Sequence, residues 1–285
     1  MGDSISNKPK HIKKQRRGPR VVFYIICGVL LAVFCFSAFK LTNGLLKSKH
    51  EREAFEELAA IVEKNVPATK DEQTKNTSDK NSDSNYSEDS KGSDTLVQYV
   101  TVYEMNNDFF GWISIDGTKI NYPVMYSPDS PEYYINHAFD GSVSVSGVPF
   151  VDSRCSDDGN YYLIYGHHMN NKTMFGELPY YADQSYCEAH SVINFDVLNE
   201  EREYQVASAF YSKVYDKEET DKFRYYDYYD LSDKDVFEDY AKHVKNEALY
   251  DTGVDLNYGD ELITLSTCNY HTKDGRFVVV AKRIS

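Results

Sequence analysis

Three residues of this chain have the types and positions needed for nucleophilic chemistry. Cys268 ends the run Leu262-Ile263-Thr264-Leu265-Ser266-Thr267-Cys268, which is apolar and β-rich and is followed by polar and turn residues. A strand end is rigid and its terminus is open, so a thiol there is held in place yet reachable, and a modestly lowered pKa turns it into an effective nucleophile. A cysteine after a strand also serves as small apolar packing. His167 follows the strand-like run Tyr161–Tyr165 and Gly166, and an imidazole both donates and accepts a proton near neutral pH. Its neighbour His168 makes a histidine pair, for which a hydrogen-bonding role is the plainer reading. Arg276 lies eight positions beyond Cys268, just after an Asp274-Gly275 turn. A tight connection would bring its guanidinium back beside the thiol, where it could steady an oxyanion, although a solvated hairpin charge fits too. Cys268 and His271 have a C-x-x-H spacing that admits a zinc reading, with His167 and His168 as further ligands. The second cysteine pair of structural zinc sites is missing, and adjacent strand residues point to opposite faces, so no metal is expected.

These residues need a β scaffold to hold them. From Leu96 onward aromatics are frequent, and short strand-like runs are punctuated by Asp116-Gly117, Asp140-Gly141, Asp158-Gly159 and Asp274-Gly275. The clearest strands are expected at Trp112–Ile115, Tyr161–Tyr165, Tyr204–Tyr215, Glu261–Thr267 and Phe277–Ile284, rich in Val, Ile, Tyr and Phe. A mainly β fold closing into a barrel follows. One helix interrupts the strands over about 232–250, with Ser232 as N-cap and Val236, Phe237, Tyr240, Ala241 and Val244 as its apolar stripe. The cluster Tyr225, Tyr226, Tyr228 and Tyr229 suggests only an aromatic surface or loop packing.

The N-terminal region points to export. Val21 to Phe39 is a 19-residue run without a charge, about the length that crosses a bilayer as a helix. The first forty residues carry eight Lys and Arg and one acid, while the whole chain has 31 bases and 45 acids. Basic residues therefore precede the run and the acidic bulk follows it, which keeps residues 1–20 in the cytoplasm, anchors the chain at 21–39 and exports the rest. A cleaved signal peptide is the competing reading, but the run is long for one and no small-x-small site follows before Lys40. Residues 40–95 are expected to form a stalk helix, over Leu45–Lys64, and then a disordered linker, Pro67–Thr95, that lifts a catalytic domain at 96–285 off the membrane. A domain this acidic repels phosphate backbones, so nucleic acid is not an expected partner. Cys27 and Cys35 fall in the anchor; Cys155, Cys187 and Cys268 remain, and three exported cysteines leave at least one thiol without a partner within the chain.

Thr264-Leu265-Ser266-Thr267-Cys268 followed by Arg276 resembles the sortase signature TLxTC…R. Tyr165-Gly166-His167-His168-Met169 with Thr173-Met174-Phe175 is similar to the class B histidine region. Phe110-Gly111-Trp112-Ile113, Tyr122-Pro123-Val124-Met125, Tyr133-Tyr134-Ile135-Asn136-His137 and Phe139-Asp140-Gly141 resemble further class B segments in the same order. The resemblance implies an eight-stranded sortase-type β-barrel with added helices, including a long one between the sixth and seventh strands. It implies that Cys268 attacks the Thr carbonyl of an NPQTN-like sorting motif near the C-terminus of an exported protein. His167 would protonate the leaving amine and then deprotonate an amine of a peptidoglycan precursor, lipid II. Arg276 would bind substrate backbone and steady the oxyanion. Leu265, Ser266 and Tyr270 flank the nucleophile and are expected to line the peptide groove. No cofactor is implied. The alternatives are a secreted cysteine hydrolase, a pilin-polymerising relative, and a membrane-tethered binding module whose Cys268 is structural.

Overall fold

The computed structural model describes residues 18–66 and 95–285. The expected basic tail lies largely, and the linker almost wholly, outside the described residues. The chain divides into two units, Met1–His50 and Glu51–Ser285. The described residues of the first form the N-terminal part of helix α1 (Gly18–Asn65). Within it Phe23–Thr42, 20 residues of mean hydropathy 2.2 with outward-facing side chains, is long and apolar enough to cross a membrane.

The second unit is a closed eight-stranded barrel. Its strands are β1 (Phe109–Ser114), β2 (Asn121–Met125), β3 (Phe150–Val151), β4 (Tyr161–Tyr165), β5 (Val192–Val197), β6 (Glu203–Lys213), β7 (Leu262–Cys268) and β8 (Gly275–Arg283). They are joined in the order β1-β2-β3-β4-β7-β8-β6-β5, with β5 pairing back onto β1. Closure removes the open edges that would otherwise recruit foreign strands. Pairings β2·β3 and β4·β7 are parallel and the rest antiparallel. The interior is filled by side chains such as Ile164, Phe195, Ile263, Leu265, Val279 and Ala281, all fully buried. Helices α2 (Val97–Met105) and α3 (Gln184–Ala189) pack Val102 and Cys187 into the same core.

The strand β7 is buried on both faces, which explains why it reads as a continuous run rather than an alternation. Its hydroxyls on the outer face have tyrosine partners: Tyr240 Oη lies 2.6 Å from Thr264 Oγ1 and Tyr225 Oη 2.7 Å from Ser266 Oγ. Tyr240 comes from helix α4 (Lys234–Glu247), which joins β6 to β7 and buries Phe237, Tyr240 and Val244 as one stripe.

Two expectations need correction here. The cap of α4 is Asp233, not Ser232: Asp233 Oδ1 accepts from the backbone N–H groups of Asp235 (2.9 Å) and Val236 (3.1 Å), while Ser232 N–H is drawn off to Asp230 Oδ1. The helix also ends at Glu247 rather than near 250, because Leu249 N–H leaves to bond the Ala209 carbonyl of β6. The second correction concerns the stalk. From Glu51 the last turns of α1 belong to the barrel unit, burying Phe55 against the Tyr122 ring (centroids 5.4 Å apart) together with Leu58. Few apolar residues among many charges look like a solvated helix in the sequence, yet two at i and i+3 suffice to dock one face.

Candidate functional site

The site stands where β4 and β7 end. These strands are parallel and in register, with Tyr165 opposite Ser266, so both carboxyl ends open on the same side of the barrel. The chain stays clamped just beyond the pairing, since Gly166 N–H donates to the Ser266 carbonyl (3.1 Å) and Thr267 Oγ1 to the Gly166 carbonyl (2.7 Å). His167 and Cys268, about a hundred positions apart, thereby become neighbours across one strand spacing. On the other flank β7 turns back into β8, and Cys268 pairs directly with Arg276. The turn closes through Asn269 N–H donating to the Gly275 carbonyl, with Asp274 in the left-handed region at φ 56°.

His167, Cys268 and Arg276 all line one cavity of about 440 Å³. Each is partly exposed, as a group that must meet a substrate requires. His167 Nε2 lies 2.7 Å from the Ile135 carbonyl, a contact that fixes the ring. His168 is turned elsewhere: its Nδ1 lies 2.8 Å from the Cys268 carbonyl and its ring packs toward Tyr270, 5.7 Å away. Alternation along the chain thus gives one histidine to the cavity and the other to the backbone of the nucleophile's own residue. Arg276 Nη1 donates to the carbonyls of Gly275 (3.0 Å) and Asp274 (3.4 Å), and among the described residues no carboxylate pairs with it. Its charge is therefore open to an arriving anion.

The three residues expected along the groove separate. Ser266 lines the cavity, its hydroxyl held by Tyr225. Leu265 is 0% exposed and lies on the opposite face of β7, inside the barrel. Tyr270 is 79% exposed and stands beside His168 rather than on the cavity wall. His271 packs on Tyr211 and bonds Asn269 Oδ1; among the described residues no cluster of three or more His, Cys, Asp or Glu could hold a metal ion.

The cavity also has walls that the sequence did not announce. Tyr225 and Tyr226, from the tyrosine cluster between β6 and α4, form one side, and Asp152, Arg154 and Tyr165 another. Burial pushes the Asp152 carboxyl up, but the hydrogen bonds and charge of Arg154, with Tyr165 Oη, outweigh it and leave its pKa below the ordinary value. Cys155 and Cys187 are buried and unpaired, and burial pushes the Cys155 thiol up to about 12, so neither competes with Cys268 as a thiolate.

The sortase domain family matches residues 113–284. Sortase B of Listeria monocytogenes serovar 1/2a is 28% identical over 261 residues, which cover 90% of this chain and 94% of that protein. Sortase B of Staphylococcus aureus is 30% identical over 191 residues, 66% of this chain and 75% of the relative. Among solved structures, a Staphylococcus aureus sortase B complex superposes with TM-score 0.67 at 26% identity, covering 84% of this chain and 99% of the other. Clostridium perfringens sortase B superposes with TM-score 0.58 at 29% identity, covering 65% and 98%. A closed barrel of eight strands, a helix between the sixth and seventh, and these matches along the barrel agree: the chain belongs to the sortase family, and within it to the class B cysteine transpeptidases.

Proposed function

We propose that this enzyme cleaves an NPQTN-like sorting motif after its Thr, near the C-terminus of exported proteins, and joins the new carboxyl end to an amine of a peptidoglycan precursor, lipid II. The observation that carries this is the placement of Cys268 between His167 and Arg276 on one cavity wall. Cys268 Sγ, as thiolate, attacks the Thr carbonyl carbon, and the charge that develops on its oxygen is met by the Arg276 guanidinium. Collapse breaks the C–N bond, the imidazolium of His167 gives its proton to the leaving nitrogen, and a thioester to Cys268 remains. The acceptor amine then attacks that thioester, His167 takes the amine's proton, and the thiolate leaves with the new amide bond formed.

One similar structure is a Staphylococcus aureus sortase B bound to substrate, and another is a sortase B complexed with triglycine, which supports a peptide donor and a peptidyl amine acceptor here. The apolar segment Phe23–Thr42, preceded by basic and followed by acidic sequence, supports a single-pass protein with its N-terminus in the cytoplasm and residues 96–285 outside.

The test is turnover by the full chain of fluorogenic peptides carrying NPQTN-like, LPxTG-like and scrambled motifs, with diaminopimelate or oligoglycine as acceptor and Cys268→Ala in parallel. Motif-selective cleavage that is lost in the variant and yields an amine adduct is the expected result. Release of free acid alone, even with acceptor in excess, would make the protein a hydrolase.

A further inference from the structure

At the end of the cavity bounded by β3, one arginine is braced more tightly than a surface charge needs. Arg154 Nε donates to Asp152 Oδ1 (2.9 Å), and Nη2 donates both to Asp152 Oδ2 (2.7 Å) and to the Tyr226 carbonyl (2.7 Å). The Asp152 carboxylate, only 7% exposed, is fixed in turn by Tyr165 Oη (3.1 Å) and Arg154 N–H (3.0 Å). The guanidinium carbon stands 5.2 Å from the Tyr229 ring centroid. A guanidinium has five N–H donors in a fixed fork. Three are engaged, and among the described residues Nη1 has no partner, although the side chain is 46% exposed and lines the cavity.

We propose that Arg154, held by Asp152, is a specificity-determining residue that reads a neutral carboxamide side chain on the sorting peptide, three residues upstream of the Thr that Cys268 attacks. The inference rests on the transpeptidase reading and deepens it. Phe150 pairs with Tyr165 and Tyr165 with Ser266, so the β3 end lies two strand spacings from the nucleophile's strand. That is about 10 Å, or about three residues of extended peptide at ~3.3 Å each. The upstream side is the one concerned, because the acyl half must stay bound after the downstream half has left as an amine. Charge selects the oxygen type. Asp152 neutralises the guanidinium and Asp227 adds to the negative field, so the fork offers hydrogen bonds with little net positive charge. A carboxamide oxygen satisfies such donors, whereas a carboxylate would meet Asp152 and Asp227 as like charges.

The experiment measures kcat/KM of the full chain on peptides that differ only at the third residue upstream of Thr, carrying Gln, its near-isostere Met, or Glu. Wild type is expected to favour Gln over Met by about tenfold to a hundredfold, the worth of a hydrogen bond to a charged donor. In Arg154→Met that ratio falls to about one while turnover of the Met peptide stays within a few fold. In Asp152→Asn, which keeps an acceptor beside Arg154 but removes its countercharge, preference moves from Gln toward Glu. An unchanged Gln/Met ratio in Arg154→Met, or an equal loss on all three peptides, would show a structural brace and overturn the proposal. Calorimetric binding of the same peptides to Cys268→Ala separates the two readings. Arg154-dependent binding of the Gln peptide to Cys268→Ala, with the wild type cleaving none of the peptides, keeps the subsite and sinks the transpeptidase reading, while wild-type cleavage without an Arg154-dependent ratio does the reverse.

Discussion

Gly166, immediately before His167, has no room for a side chain: a Cβ there would stand 2.6 Å from the Phe175 ring. Gly166→Ala is therefore expected to push the β4 terminus and His167 outward, and a displacement of about 1 Å at a reacting group costs on the order of a hundredfold in rate. Peptide cleavage would show it, with a thermal melt confirming that the barrel still folds. The neighbouring wall gives a second prediction at this scale. Tyr225 Oη and Ser266 Oγ are both buried and bond each other at 2.7 Å. Tyr225→Phe strands the Ser266 hydroxyl and is expected to cost about 1–3 kcal/mol in denaturant unfolding, whereas the Tyr225→Phe/Ser266→Ala pair costs less than the sum of its parts. Cys268, His167 and Arg276 are legible in the sequence because each stands at a strand end beside turn residues. Tyr225 was visible only as part of a tyrosine run, since the partner that gives it a purpose lies 41 residues away.

Elements follow from local signals less evenly. The five strands read from alternation and β-branched content all exist, with ends shifted by a residue or a few, as at β1, which starts at Phe109 rather than Trp112. Short β2 and β3 carry weak periodicity and gain their identity from pairing, whereas β5 alternates buried Ile193, Phe195 and Val197 with half-exposed neighbours, a signal present in the sequence but not among the five strands read from it. The cap of α4 could not be chosen from composition, because Ser232 and Asp233 are both good caps and the backbone alone decides which faces the free N–H groups. Asp233→Ala is expected to destabilise the protein by about 1 kcal/mol while Ser232→Ala leaves unfolding nearly unchanged. Equal effects of the two substitutions in urea unfolding would contradict the observed cap.

For the molecule as a whole, the docked turns of α1 make the barrel unit longer than its strands suggest. Glu51 accepts hydrogen bonds from Ser144 Oγ (2.9 Å) and Ser146 Oγ (2.7 Å), and Phe55 and Leu58 fill the surface beside Tyr122. Phe55→Ala is expected to lower stability by about 3 kcal/mol, and a chain beginning at residue 96 should melt below one beginning at Glu51. Acid dependence has a defined sign. Asp152 has a depressed pKa in the folded state, so its contribution is present above the unfolded value and is lost as pH falls through the folded one. Wild type should then lose more stability than Asp152→Asn on acidification below about pH 4. By itself the sequence determined the barrel class, the apolar N-terminal span and the three residues at strand ends, because composition, periodicity and short motifs are local properties of a chain. Only the tertiary structure decided that Leu265 faces the core, that the helix near Phe55 is docked, and that Asp152, Arg154 and the tyrosines share a wall with Cys268. Those depend on register and closure, which bring together residues a hundred positions apart and leave no trace in their spacing.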